Sequence, residues 1–199
     1  MKIEINASAL LFLAAMLLIL PLQWLLALLL AITVHELFHG IAILLCGGKI
    51  IGICIEGRRI LLKSRDIPPF SEAICAIAGP IGSFLLLLLI RYIPRTAVCG
   101  MIHGVYNCIP LFPMDGGRFL RGIIYSIFSP EIGISVFDWT QRILSIIIVI
   151  LCIYLCLHMG IIPLIIAFFV YRNIHAENSL AKKPFWRYNK DTKDKEVSL

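Results

Sequence analysis

Long apolar runs separated by short polar breaks dominate this chain. Six of them read as membrane-crossing helices: about 5–20, 24–45, 72–90, 96–112, 143–158 and 161–171. A helix needs ~20 residues to cross the hydrocarbon, and the first run is short. Pro21-Leu22-Gln23 predicts a tight turn between the first two runs. A polar segment, 47–71, follows the second, and Arg91–Arg95 is a short connection after the third. The stretch Arg118–Asp138 is more polar and amphipathic and leads into the fifth run. The residues after Arg172 are polar.

The segment after the second run has its own pattern. Gly47-Gly48 marks a helix end. A β-branched run, a Glu56-Gly57 turn signal, a second short run and Pro68-Pro69 then follow. Two short runs about a glycine turn predict a β-hairpin; a solvated connector is the alternative. The expected fold class is therefore an all-α membrane protein of about six transmembrane helices, with a small β-hairpin after the second helix. Residues 1–175 form one polytopic membrane domain, and 176–199 are a polar cytoplasmic tail.

Composition supports this reading. The chain of 199 residues is 60% hydrophobic with mean hydropathy +0.94, whereas soluble domains are nearer half apolar. The first run lacks a small-residue cleavage pattern and has only Lys2 ahead of it, so it is not read as a cleaved leader. Seven cysteines are scattered without a CxxC pair, which speaks against a disulfide framework or a cysteine-rich zinc site. The formal net charge is +6. With six spans, 16 of the 18 Lys and Arg residues fall on the side of the termini, against Arg91 and Arg95 on the other. The positive-inside rule then puts both termini in the cytoplasm. Topology and anionic lipid explain the cationic excess, and no nucleic-acid partner is implied.

One apolar run carries chemistry. "ITVHELFHGIAILL" places His35, Glu36 and His39 among leucines and isoleucines. The histidines are i and i+4, on one helix face, a spacing that lets two imidazoles hold one zinc ion. Glu36 stands beside the first ligand, where it can act as a general base. Ionisable groups cost several kcal/mol in hydrocarbon by some measures (roughly 2.5–3.5 on insertion scales) and are retained for function. Polar residues that merely hold helices together are the plainer alternative.

A catalytic zinc site wants a third protein ligand. The best candidate is Asp115 in "NCIPLFPMDGGR". Pro110 and Pro113 interrupt regular helix there, and Gly116 and Gly117 allow close approach and unusual dihedrals. Asp115 could also be only the N-cap of a helix over 116–128. His103, one turn before Asn107, is a possible fourth ligand, with polar support of the site the favoured role.

Together, HELFHG and Asn-x-x-Pro-x-x-x-x-Asp-Gly-Gly resemble the site-2 protease family of intramembrane zinc metalloproteases. "AIAGPIGSF" (76–84) resembles that family's AGP segment. The pattern spans about 24–125, over half the chain, and implies a three-helix catalytic core. Residue by residue, the resemblance makes His35, His39 and Asp115 the ligands of one zinc per chain. It makes Glu36 the catalytic glutamate and Asn107 an asparagine that steadies substrate or oxyanion, with Gly79 and Pro80 as packing positions. The implied activity is hydrolysis of a peptide bond in or near the transmembrane segment of a membrane-associated protein, with a membrane regulatory protein as a possible further partner. The short connection after the third span leaves no room for a PDZ domain, and the tail is too short for a CBS module. The layout is most similar to the bacterial sporulation protease that processes the sigma-K precursor, which implies a bacterial cell membrane. The competing readings are a non-proteolytic metal-binding membrane protein, a metal transporter, or an unrelated HExxH protease with a glutamate ligand.

Overall fold

Proline and glycine set the helix boundaries. The computed structural model describes residues 2–5, 7–56, 59–65 and 67–159. The first apolar run forms α1 (Ala7–Ile19), and beyond Pro21 the second forms α2 (Leu22–Leu45). α2 ends where Gly47 takes φ +77°, a conformation open to glycine because it has no Cβ. The amide of Gly48 donates to the Ile43 carbonyl at 2.9 Å and that of Gly47 to Leu44 at 3.1 Å, the paired bonds that satisfy the last carbonyls of a helix.

α3 (Pro69–Leu85) starts on a proline and tightens into a 3-10 turn, Leu86–Leu89. Proline suits the first helical turn, where its missing N–H has no partner to lose. α4 (Pro94–Asn107) begins the same way, and α5 (Asp115–Ile127) and α6 (Pro130–Met159) complete the described helices. Leu22–Leu45, Pro69–Leu89 and Pro130–Leu155 are each long and apolar enough to cross a bilayer.

Two expected spans differ in extent. The fourth, 96–112, stops as a helix at Asn107, because Pro110 and Pro113 cannot continue the hydrogen-bond ladder. The fifth, 143–158, is the second part of a helix that begins at Pro130. Asp138, Gln141 and Arg142 interrupt the hydropathy, but backbone hydrogen bonding does not depend on side-chain polarity. The sixth expected span and the tail lie outside the described residues.

α3 is the hub of the bundle, packed against α2, α4 and α5. The contacts use small residues: Ala73, Cys75 and Ala76 of α3, Ala27, Ala31 and Ala42 of α2, and Ala97 of α4 are buried. In lipid, apolar burial does not drive helices together, so close approach through small side chains supplies the attraction. Many large side chains point outward, Leu18, Leu45, Leu88 and Leu157 among them.

The expected hairpin is present. β2 (Lys49–Glu56) and β3 (Arg59–Arg65) pair antiparallel, with a bulge between Ile50 and Gly52. The turn at 57–58 lies outside the described residues. A further strand, β1 (Lys2–Ile5), pairs parallel with β2. Its four residues are too few to reveal alternation in the sequence. The sheet order β1-β2-β3 makes β2 central and, among the described residues, leaves one edge of β3 unpaired. Ile50 and Leu62 pack on a cluster of Ala42, Ile43, Ile67 and Cys75, which seats the sheet on the C-terminal half of α2.

Candidate metal centre

The i, i+4 spacing turns both imidazoles of α2 to the same buried face. His35 and His39 are 2% and 5% exposed, and their rings meet edge to face with centroids 4.8 Å apart. Asp115 reaches them from the first turn of α5. Its Oδ2 lies 2.9 Å from His35 Nε2 and 3.0 Å from His39 Nε2, and the two nitrogens are 3.1 Å apart. Residues 76 and 80 positions apart in sequence thus bring three ligand atoms to one point.

The outer contacts determine what that point can hold. His39 Nδ1 is 2.7 Å from the carbonyl oxygen of Cys75, which can only accept, so Nδ1 carries the proton. In a neutral ring, Nε2 is then a bare acceptor. His35 Nδ1 lies 2.8 Å from Ser83 Oγ, fully buried on α3. When Ser83 accepts, His35 Nε2 is bare as well. Two imidazole lone pairs and a carboxylate oxygen then face one another, and a proton or a metal cation must lie among them. Two histidines and one carboxylate form a ligand set of catalytic zinc, which keeps a fourth position open. Nδ1 bonds to carbonyl or hydroxyl oxygens orient such rings and make them better ligands. The residues therefore fit zinc.

Asp115 is not a helix cap here. It is the first residue of α5, Met114 occupies the cap position, and no side chain caps the helix. The two carboxylate oxygens divide their work: Oδ2 meets the histidines and Oδ1 lies 3.4 Å from the Arg118 guanidinium.

Gly79 does more than the packing role expected of it. A Cβ there would overlap His39 Nε2 and come 2.7 Å from His35 Nε2. The absence of a side chain keeps the space beside the ligand atoms clear. Gly116 and Gly117 serve close approach: a Cβ on either would strike the main chain of 108–112. Neither takes a positive φ, so the expectation of unusual dihedrals is not met.

Glu36 is half-buried on α2 beside His35, outside the ligand group. Asn107, at the end of α4, donates from Nδ2 to the His103 carbonyl at 3.0 Å and to His103 Nε2 at 3.1 Å. The His103 ring packs edge-on against His35 with centroids 4.5 Å apart. His103 is thus a support behind the cluster and not one of its three members. The sequence reading missed Ser83 and the Cys75 carbonyl. Ser83 follows Gly79 at i+4 within "AIAGPIGSF", so it had to share the face that Gly79 turns to α2. A main-chain carbonyl leaves no mark in a sequence. A partly buried ion pair between Glu72 of α3 and Arg121 of α5 also ties the helix carrying Asp115 to the hub.

Comparison with known proteins agrees with this architecture. No family model matches the chain. A zinc metalloprotease of Methanocaldococcus jannaschii is 25% identical over 166 residues, 76% of this chain and 48% of that protein. A Synechocystis relative is 29% identical over 113 residues, 49% of this chain and 30% of its own length. The chain thus spans about half the length, or less, of these curated relatives. Among solved structures, the site-2 protease of Methanocaldococcus jannaschii superposes with a TM-score of 0.62 at 24% identity, covering 88% of this chain and 89% of that one. The helices that bring His35, His39 and Asp115 together accordingly have the fold of a site-2 protease.

Proposed function

We propose that this chain is an intramembrane zinc endopeptidase that hydrolyses a peptide bond in or near the transmembrane segment of a membrane-associated protein. One observation carries the reading. Two imidazoles and a carboxylate converge inside an apolar bundle, on a helix whose next residue after the first histidine is a half-buried glutamate. The relatives named as a zinc metalloprotease and a site-2 protease support it.

In this reading His35, His39 and Asp115 hold one zinc ion per chain. Zinc, when bound, supplies a Lewis acid that polarises the scissile carbonyl and acidifies water. Glu36 takes a proton from the attacking water and passes it to the leaving amine. Asn107 is the proposed donor to the carbonyl oxygen as charge develops there, exchanging its His103 contact for that role. His39 lies six residues before the end of α2, ~9 Å by helical rise, so the site opens towards the cytoplasm if both termini lie there. The membrane domain is taken as 1–175, and a sporulation sigma-factor precursor is the finer substrate proposal.

Reconstitution with candidate membrane-tethered precursors tests the reading. Cleavage should stop on removal of zinc with a chelator and return on adding it back. Cleavage that is indifferent to zinc removal would sink the proposal, while zinc binding with no cleavage of any precursor would favour the metal-binding alternative.

A substrate helix must be extended before its peptide bonds can be attacked, and the free edge of β3 could pair with the extended segment. Proline removes a ladder donor. Prolines placed singly from position 60 to 64 should therefore reduce turnover by about tenfold at the positions whose N–H faces outward, with zinc content unchanged (a tenfold loss equals ~1.4 kcal/mol, near the net value of one hydrogen bond). If none of them alters turnover, β3 does not bind substrate.

A further inference from the structure

α6 lies beyond the residues that carry the metal-site motifs, yet it grips the segment that leads to Asp115. That segment, 108–114, joins α4 to α5 and contains both prolines. Its internal hydrogen bonds are few: Leu111 N–H donates to Ile109 at 2.8 Å and Met114 N–H to Leu111 at 2.9 Å. The Cys108 and Ile109 N–H groups bond back to Gly104 and Tyr106 of α4, and the Met114 carbonyl accepts from Arg118 of α5; two further groups turn to α6. Gln141, 8% exposed, accepts the Phe112 N–H through Oε1 at 2.9 Å and donates from Nε2 to the Pro110 carbonyl at 3.2 Å. One amide thus satisfies a donor and an acceptor left over by the proline-broken backbone, where buried main-chain groups need partners.

Apolar contacts reinforce the grip. Leu111 and Met114 pack on Leu144 and Ile148 of α6, which share a helix face with Gln141. The Phe112 ring lies edge to face with Phe137, centroids 6.4 Å apart, and the Arg121 guanidinium sits over the same Phe112 ring, 4.9 Å from its centroid. The segment is pressed in turn on α5, since a Cβ on Gly117 would overlap the Phe112 amide nitrogen. A shift of Phe112 must move the first turn of α5 and with it Asp115.

We propose that Gln141 is a positioning residue for the metal centre: its two hydrogen bonds to Pro110 and Phe112 set the place of the Asp115 carboxylate opposite His35 and His39. The inference rests on the metal site assigned above but not on proteolysis, because metal binding alone reports it. Purified full-length protein in detergent would be titrated with Zn²⁺ against a competing chelator and with Co²⁺ for its visible spectrum. Gln141→Leu keeps the volume and removes both hydrogen bonds. It should weaken zinc binding ~10–100-fold, the range typical of outer-shell partners, and shift the Co²⁺ bands. Gln141→Glu retains an acceptor for the Phe112 N–H and should recover part of the affinity. Thr140→Val, which removes only a bond to Val136 on the same helix, should leave binding unchanged.

Wild-type affinity and an unchanged Co²⁺ spectrum in Gln141→Leu would overturn the proposal. So would an equal loss in Thr140→Val, or a loss in Gln141→Leu matched by a fall in the melting temperature of the metal-free protein with no recovery in Gln141→Glu. Those results would make Gln141 a general support of the fold. A wild-type protein that binds metal but cleaves nothing would sink the protease reading and leave this one standing; a wild-type protein that takes no metal would sink both.

Discussion

Replacing Glu36 with glutamine should abolish cleavage and leave one zinc bound per chain. Glutamine preserves the size of the side chain and cannot accept a proton from water. Glu36 lies outside the group of three ligand atoms, so its neutralisation removes no ligand. General acid–base catalysis contributes ~10²–10⁴-fold to rate, and Glu36 is proposed for both proton transfers. A fall of at least ~100-fold is therefore expected. Zinc analysis of the purified variant beside a cleavage assay gives the answer. Substantial residual turnover would remove Glu36 from the mechanism, and loss of zinc would make it a ligand.

Replacing Asp115 with asparagine should instead remove the zinc, and cleavage with it. The expectation follows from the proton count around the cluster. His39 Nδ1 is committed to the Cys75 carbonyl, so a neutral His39 turns a lone pair towards Asp115 at 3.0 Å. An asparagine amide could donate to that lone pair. The cluster would then be satisfied without a cation, and a neutral amide is a poor zinc ligand. Outer-shell partners already cost 10–100-fold in affinity when lost, so a ligand should cost more than ~100-fold. The metal-free variant should melt no lower than metal-free wild type, because its buried polar atoms keep partners. Full zinc occupancy with normal turnover would show that the third ligand is elsewhere.

The two substitutions differ in what a sequence can reveal about them. His35, Glu36 and His39 lie within one helical turn and a half, and helix geometry alone puts the two imidazoles on one face. Their relation was legible because it is local. Asp115 was legible only as a candidate. The prolines and glycines around it announced broken backbone, but the cap reading stood beside the ligand reading. The structure rules against the cap by placing Asp115 inside α5, and it sets Oδ2 against the two histidines, where a ligand would have to be. The hairpin was legible in part: β2 and β3 have the two short runs and the glycine turn signal of a pair, whereas β1 is too short to stand out.

Hydropathy and punctuation, read along the chain, determined that this is a helical membrane protein with helix breaks at Pro21, at Gly47-Gly48 and within the 91–95 connection. They did so because backbone satisfaction in lipid and the special dihedrals of proline and glycine are local constraints. They also determined that one helix carries a paired-histidine site with an adjacent carboxylate. What only the tertiary structure decided is everything that depends on distance across the bundle. Ser83 and a main-chain carbonyl orient the two rings. Gly79 leaves room beside their nitrogens. An amide on α6, 26 residues after Asp115, holds the segment that delivers the carboxylate. These contacts join helices whose sequences carry no mark of their partners, since small residues and single polar groups gain meaning only from what they face.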